Sequence, residues 1–242
     1  MSSFNNLTKY SKNEFGIIEN TFDTKLVDSI RKDFIKKYEN KLPNLNIFNT
    51  EDYLFDMMFN KKTVGYFKEL IGDFVLLPEN VLSIGKFNVS HRDTTSLESA
   101  NLTIHNDPSF KMFTLGMYLQ NNISSNGGGI FVVPNSSKFE KDEFLEIRKI
   151  LNSKLNRMIN KLYIRNKKKQ YISLVNKRQL EKGGLDVPTK LGDLAYFDVR
   201  CIHRGSNNLN NNKELRLAIF SRIIKNNPEH IKKYITYLAN HS

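Results

Sequence analysis

Apolar residues recur at three- and four-residue steps through the first third of the chain and change to short, alternating runs from about residue 80 onward. Leu26, Val27, Ile30, Phe34 and Tyr38 share one helical face behind Asp23, a residue suited to an N-cap. A second helical run carries Leu54, Met57 and Met58 and is followed by Val64, Phe67 and Leu70. Stripes of this kind are core-facing packing and imply no cofactor.

The later runs are Val81 to Val89, Phe113 to Leu119, Ile130 to Val133, Leu194 to Val199 and Leu215 to Phe220. They are rich in β-branched and aromatic residues and are separated by Gly, Asn and Pro, which predicts strands. No strand–helix–strand alternation is visible, so a doubly wound parallel sheet is not expected. Helices ahead of short strands favour an all-β sandwich or jelly roll with a helical cover. Between the strands, Phe144, Ile147, Leu151, Leu155, Met158 and Leu162 predict an amphipathic helix, and Gly183-Gly184 closes that segment. Ile231, Tyr234, Ile235 and Leu238 predict a C-terminal docking helix opened by Pro228. The expected organisation is one domain: a helical cover over 1–79, a β core over 80–224 with an insert at 138–190, and a C-terminal helix over 225–242.

Composition narrows the function classes. The 242 residues include a single cysteine, Cys201, so an internal disulfide or a Cys-rich zinc module is excluded. No run approaches the roughly 18 apolar residues of a membrane span, and a cytoplasmic protein is expected. The net charge of +12 invites a nucleic-acid reading. Between Lys138 and Lys190, however, fifteen Lys/Arg face six Asp/Glu, so +9 of that charge sits in the insert and the remainder is close to neutral. That insert reads either as a patch recruiting an anionic substrate or as a solvated helix face.

Three places carry candidate chemistry. His105-Asn-Asp107 ends an apolar run, and on a strand residues i and i+2 face the same side, so imidazole and carboxylate can grip one ion. His203 follows another strand, and two imidazoles with one carboxylate form the facial triad suited to non-haem Fe(II). Arg216, later still, offers a planar fork for a carboxylate. His91-Arg-Asp93 is a competing His-x-Asp pair whose plain reading is a polar loop, as that of His105 is a satisfied histidine at a strand end. His230 and His241 read as solvent-facing, Cys201 as a small buried apolar residue, and Asp193 as a turn residue. Gly127-Gly128-Gly129 precedes a strand rather than a helix, which favours a bulged turn over a phosphate cradle. Lys86 and Asn88 read equally as pocket lining or barrel wall.

Taken in order, His105-x-Asp107, Gly116-Met-Tyr-Leu-Gln120, Asn126-Gly-Gly-Gly-Ile-Phe-Val-Val-Pro-Asn-Ser-Ser-Lys138, Gly192-Asp193, His203-Arg-Gly-Ser206 and Arg216 resemble the phytanoyl-CoA dioxygenase-like family over roughly residues 80–224. The resemblance implies a double-stranded β-helix, a cupin-like jelly roll, and the use of Fe(II), 2-oxoglutarate and O2 to oxidise a small molecule with release of succinate and CO2. On it, His105, Asp107 and His203 match the iron ligands, Arg216 the anchor of the distal 2-oxoglutarate carboxylate, and Ser206 a small hydroxyl residue that supports the same group. The order also places His105 ahead of His91, because the strand and glycine turn follow it at the family's distance. A retained carboxylate at Asp107 favours hydroxylation over halogenation, since related halogenases replace it with a small residue. The sequence departs where the family reads Pro-Gly-Ser-His and this chain reads Pro134-Asn-Ser-Ser137. Two other classes stay open: a basic protein that binds or modifies nucleic acid, and a cupin-like protein holding zinc with the same residues. Arg216 weighs against the second.

Overall fold

Side-chain alternation along the central strands decides how the layers stack. The computed structural model describes residues 14–38, 47–48, 52–84, 107, 109–121, 129–138, 183–205 and 217–241. In chain order these form β1 (Phe15–Ile18), α1 (Thr24–Tyr38), β2 (Ile47–Phe48), α2 (Asp52–Met58), α3 (Lys61–Ile71), β3 (Phe74–Ile84), β4 (Met112–Tyr118), β5 (Ile130–Val132), β6 (Leu185–Val187), β7 (Leu194–Asp198), β8 (His203–Gly205), β9 (Leu217–Lys225) and α4 (Pro228–His241). One antiparallel sheet runs β1-β7-β4-β9-β3-β2 and a second runs β6-β5-β8.

On β4, Phe113, Leu115 and Met117 bury against one cluster, with Leu194 and Tyr196 of β7, Ile219 and Ile223 of β9, and the helix residues Val27, Ile30, Phe34, Leu54, Met58, Phe67 and Ile71. Tyr118, one residue out of phase with them, joins Ala195, Phe197 and Ala218 against Ile130, Val132 and Val187 of the smaller sheet. Period-two alternation thus gives the large sheet two buried faces, one under the helices and one under the three-stranded sheet. A third cluster, with Leu77, Phe110, Met112, Val199, Ile224 and Tyr234, seats α4 at the end where β3 and β9 begin and finish.

Caps fix the helix starts. Asp23 Oδ1 accepts from Lys25 N at 2.8 Å and Leu26 N at 3.0 Å, as its position predicts. Asn60 caps α3 in the same way, accepting from Lys62 N and Thr63 N, while its amide donates to Thr21 O and Met57 O. Ahead of β7, Gly192 holds φ +93°, and its carbonyl accepts from Thr21 N and Phe22 N; an added Cβ would meet Phe22 O at 2.9 Å. Asp193 completes that turn, with Oδ1 accepting from Asn20 N and Oδ2 from Lys190 N.

Several expectations shift. Leu26 is 47% exposed, because Val27, Ile30 and Phe34 make the buried stripe and Leu26 falls on its flank. The buried stripe of α3 is Thr63, Phe67 and Ile71, with Leu70 only partly buried beside it. β3 begins at Phe74 rather than near residue 81, since its partner β9 continues to Lys225 and supplies a ladder for the extra residues. Its register slips between Leu77 and Val81, across Pro78, which has no N–H to give. The cover over 1–79 also contains strands β1 and β2, and the end of the 138–190 insert forms β6. The predicted amphipathic helix at 144–162 lies outside the described residues.

Candidate functional site

His203 stands in β8 opposite Val132 of β5. Directly opposed residues of an antiparallel pair share a face, and Val132 belongs to the cluster between the sheets, so the imidazole enters the inter-sheet space. There it lies against the Phe197 ring, centroids 4.1 Å apart, and is 6% exposed. Nδ1 sits 3.0 Å from the Cys201 carbonyl oxygen. A carbonyl only accepts, so Nδ1 points a hydrogen at it, the second-partner arrangement by which a backbone carbonyl orients a metal-ligating imidazole.

The backbone just before His203 is pinned by Ser136. Its hydroxyl donates to Val133 O at 2.6 Å and accepts from Ile202 N at 2.7 Å, while Val133 N donates to Ile202 O. The departure at Pro134-Asn-Ser-Ser137 has a structural counterpart. Asn135 takes φ +61°, a conformation Asn tolerates where the family has Gly. Ser137 donates to the Glu14 carboxylate, which also accepts from Asn135 N at 2.6 Å, so this loop is clasped to the residue leading into β1. Neither Glu14 nor Ser136 was legible as a supporting residue from local pattern. Both act across long sequence separations.

Asp107 lies in the turn leading to β4. Oδ1 accepts from Ser109 N at 2.8 Å and Ser109 Oγ at 2.5 Å; Oδ2 accepts from His230 Nε2 at 2.7 Å. These donors, Ser109 first, hold the carboxyl down at about 2, so it is a carboxylate at any physiological pH. His230 is therefore a correction to the solvent-facing expectation: it is 6% exposed, since the first turn of α4 seats it against the Phe110 ring. The Arg200 guanidinium lies over the same ring at 5.9 Å and grips Asp198 with Nε at 2.9 Å and Nη2 at 2.7 Å. Burial lowers the Arg200 pKa, but the bonds and charge of Asp198 outweigh it and raise the net value.

Arg222 was not singled out from the sequence. On β9 it opposes Thr114, which opposes Phe197 on β7, so Arg222, Thr114 and Phe197 lie in one row on the face that looks toward the smaller sheet. Its Nη1 reaches Tyr234 Oη on α4 at 3.4 Å. A guanidinium thus shares a cross-strand row with the aromatic ring that supports His203.

His105, Ser206 and Arg216 lie outside the described residues, as do His91, Asp93, Lys86, Asn88, Gly127 and Gly128. Among the described residues no three His, Cys, Asp or Glu side chains converge on an ion-sized space. The two candidate ligands that are described nevertheless are of the types a divalent cation takes: an ionised carboxylate, and an imidazole oriented through Nδ1 by a backbone carbonyl. Cys201 is fully buried in the inter-sheet cluster, as expected of a small apolar residue, with Sγ near Glu14 O at 3.9 Å. Among the described residues no helix is long and apolar enough to cross a membrane.

No protein-family model and no curated protein matches the chain by sequence. Solved structures do match its fold. HygX from Streptomyces hygroscopicus, crystallised with iron bound, aligns with a TM-score of 0.59 at 12% identity, over 92% of this chain and 87% of that one. AviO1 from Streptomyces viridochromogenes Tue57 aligns with a TM-score of 0.57 at 15% identity, over 89% and 90%. SnoN, an epimerase crystallised with Fe3+, α-ketoglutarate and nogalamycin RO, aligns with a TM-score of 0.56 at 10% identity, over 91% and 83%. At these identities the likeness is one of fold, and SnoN is a non-haem α-ketoglutarate-dependent enzyme of the type the sequence resemblance implies.

Proposed function

We propose that this chain is a non-haem Fe(II)- and 2-oxoglutarate-dependent oxygenase with a double-stranded β-helix core, acting in the cytoplasm on a small anionic metabolite by hydroxylation. His105, Asp107 and His203 hold the iron, Arg216 holds the distal carboxylate of 2-oxoglutarate, and Ser206 supports it. The observation that carries the reading is His203: a buried imidazole between two antiparallel sheets, oriented by the contact of its Nδ1 with the Cys201 carbonyl. The fold shared with iron-bound HygX and with the SnoN complex supports the same assignment.

The iron centre, when bound, supplies the activation of O2 coupled to oxidation of 2-oxoglutarate. The chain's own residues hold the ligands in their ionisation and tautomeric states and keep the space between the sheets apolar around the reacting groups, with Phe197, Tyr118 and Val132. An anionic substrate is favoured by Arg222, whose fixed charge lies on the same sheet face as the ring that supports His203.

The test is anaerobic addition of Fe(II) and 2-oxoglutarate to the apoprotein. A weak visible charge-transfer band of the chelate is expected, and it should vanish in His105→Ala and Arg216→Ala. Its absence at saturating ligand in the wild type overturns the oxygenase reading.

A further inference from the structure

We infer that His230 is a positioning residue for Asp107: the imidazole on α4 holds the carboxylate in the orientation in which it takes a metal ion. The inference rests on the reading of Asp107 as a ligand and adds a role for the C-terminal helix to it.

Three donors among the described residues act on Asp107, and they are not equivalent. The two from Ser109 close a local turn two residues on, so they fix the carboxylate only relative to its own loop. The bond from His230 Nε2 spans 123 residues of sequence and ties the carboxylate to α4. Through α4 it is tied to the cluster of Leu77, Phe110, Met112, Ile224 and Tyr234 at the end of the large sheet.

The His230 ring is itself firmly placed. Asn227 Oδ1 accepts from Glu229 N at 3.0 Å and His230 N at 3.3 Å, capping the first turn of α4. The Phe110 ring lies 5.3 Å away at 70°, itself covered by Arg200. His230 Nδ1 is buried and has no hydrogen-bond partner among the described residues, a cost that surface histidines avoid by facing water. An imidazole buried at that cost, with its other nitrogen 2.7 Å from a carboxylate, is held in place by its surroundings rather than resting on the surface. Among the described residues Oδ1 accepts two bonds and Oδ2 one, which leaves a lone pair for a cation on the oxygen that His230 orients.

Mn(II) serves as a redox-inert probe, with binding followed by titration calorimetry and by the Mn(II) electron paramagnetic resonance signal. Four proteins are compared: wild type, Asp107→Ala, His230→Phe and His230→Gln. His230→Phe keeps an aromatic ring beside Phe110 but removes the donor; His230→Gln removes the ring but keeps an N–H at similar reach. Mn(II) affinity is expected to fall by about 10–100-fold in His230→Phe, the range for loss of an outer-shell partner, and to return to near wild type in His230→Gln. Wild-type affinity in His230→Phe, with binding lost in Asp107→Ala, overturns the positioning role and leaves the oxygenase reading standing. Failure of the wild type to bind Mn(II) overturns both.

Discussion

The His203 imidazole rests on the Phe197 ring at a centroid distance of 4.1 Å, so the candidate ligand on the small sheet is supported by the large one. Phe197 is 3% exposed and belongs to the cluster that joins the sheets. Phe197→Ala is expected to destabilise the protein by about 3–5 kcal/mol, the usual cost of removing a buried aromatic side chain. Urea unfolding of the apoprotein checks it. A loss below about 1 kcal/mol would mean that the ring is not part of the inter-sheet core.

Glu14 clasps the start of β1 to the turn after β5 by accepting from Asn135 N and Ser137 Oγ. Glu14→Ala removes the buried carboxylate that accepts from the Asn135 N–H and the Ser137 hydroxyl, and a loss of about 1–2 kcal/mol is expected. The β1 to β7 pairing should then exchange its amide protons faster than β4 to β9. Hydrogen exchange read strand by strand distinguishes this local loosening from a global one.

Asp107 gives a pH signature with a definite sign. Its carboxyl is lowered from 3.8 to about 2, so its contribution to stability is complete above the unfolded value and is lost as the pH falls through 2. The stability gap between wild type and Asp107→Asn should therefore be constant from neutral pH to about pH 4 and shrink below it. Denaturation midpoints of the two apoproteins measured across that range test it. A gap that stays constant down to pH 2 contradicts the ionised, hydrogen-bonded carboxylate.

Arg222 tests the anionic character of the substrate. In a panel of small acids with succinate release as the readout, those that stimulate wild-type turnover should need about 10–100-fold higher concentration in Arg222→Gln, with Arg222→Lys between them. Equal concentration dependence in all three proteins would assign Arg222 to structure alone.

Much of the β core was legible because its strands alternate cleanly: Phe113 to Met117, Ile130 to Val132 and Leu194 to Asp198 lie where their patterns predict. β1 and β2 were not, because Phe15–Ile18 and Ile47–Phe48 are too short to carry a period and form only by adding to a sheet made elsewhere. The candidate ligands Asp107 and His203 were legible as residue types in order. Their supports were not, for a different reason: Ser136, Glu14 and His230 act through hydrogen bonds that reach across 66, 121 and 123 residues, and no local window records such a partnership. His230 misled because a polar residue in the first turn of an amphipathic helix is ordinarily solvated, whereas here contacts with Phe110 and Asp107 turn that position inward.

The strand order has a kinetic consequence. β3 finds its partner in β9, where Phe74 opposes Lys225, and β1 finds its partner in β7, where Phe15 opposes Phe197. The middle of the large sheet therefore cannot close until β9 has left the ribosome, well after β3 and β4. Until then the apolar edges of β3 and β4 have no cover. Such non-local pairing slows folding and prolongs exposure of sticky intermediates, so chaperone supply and growth temperature are expected to govern soluble yield.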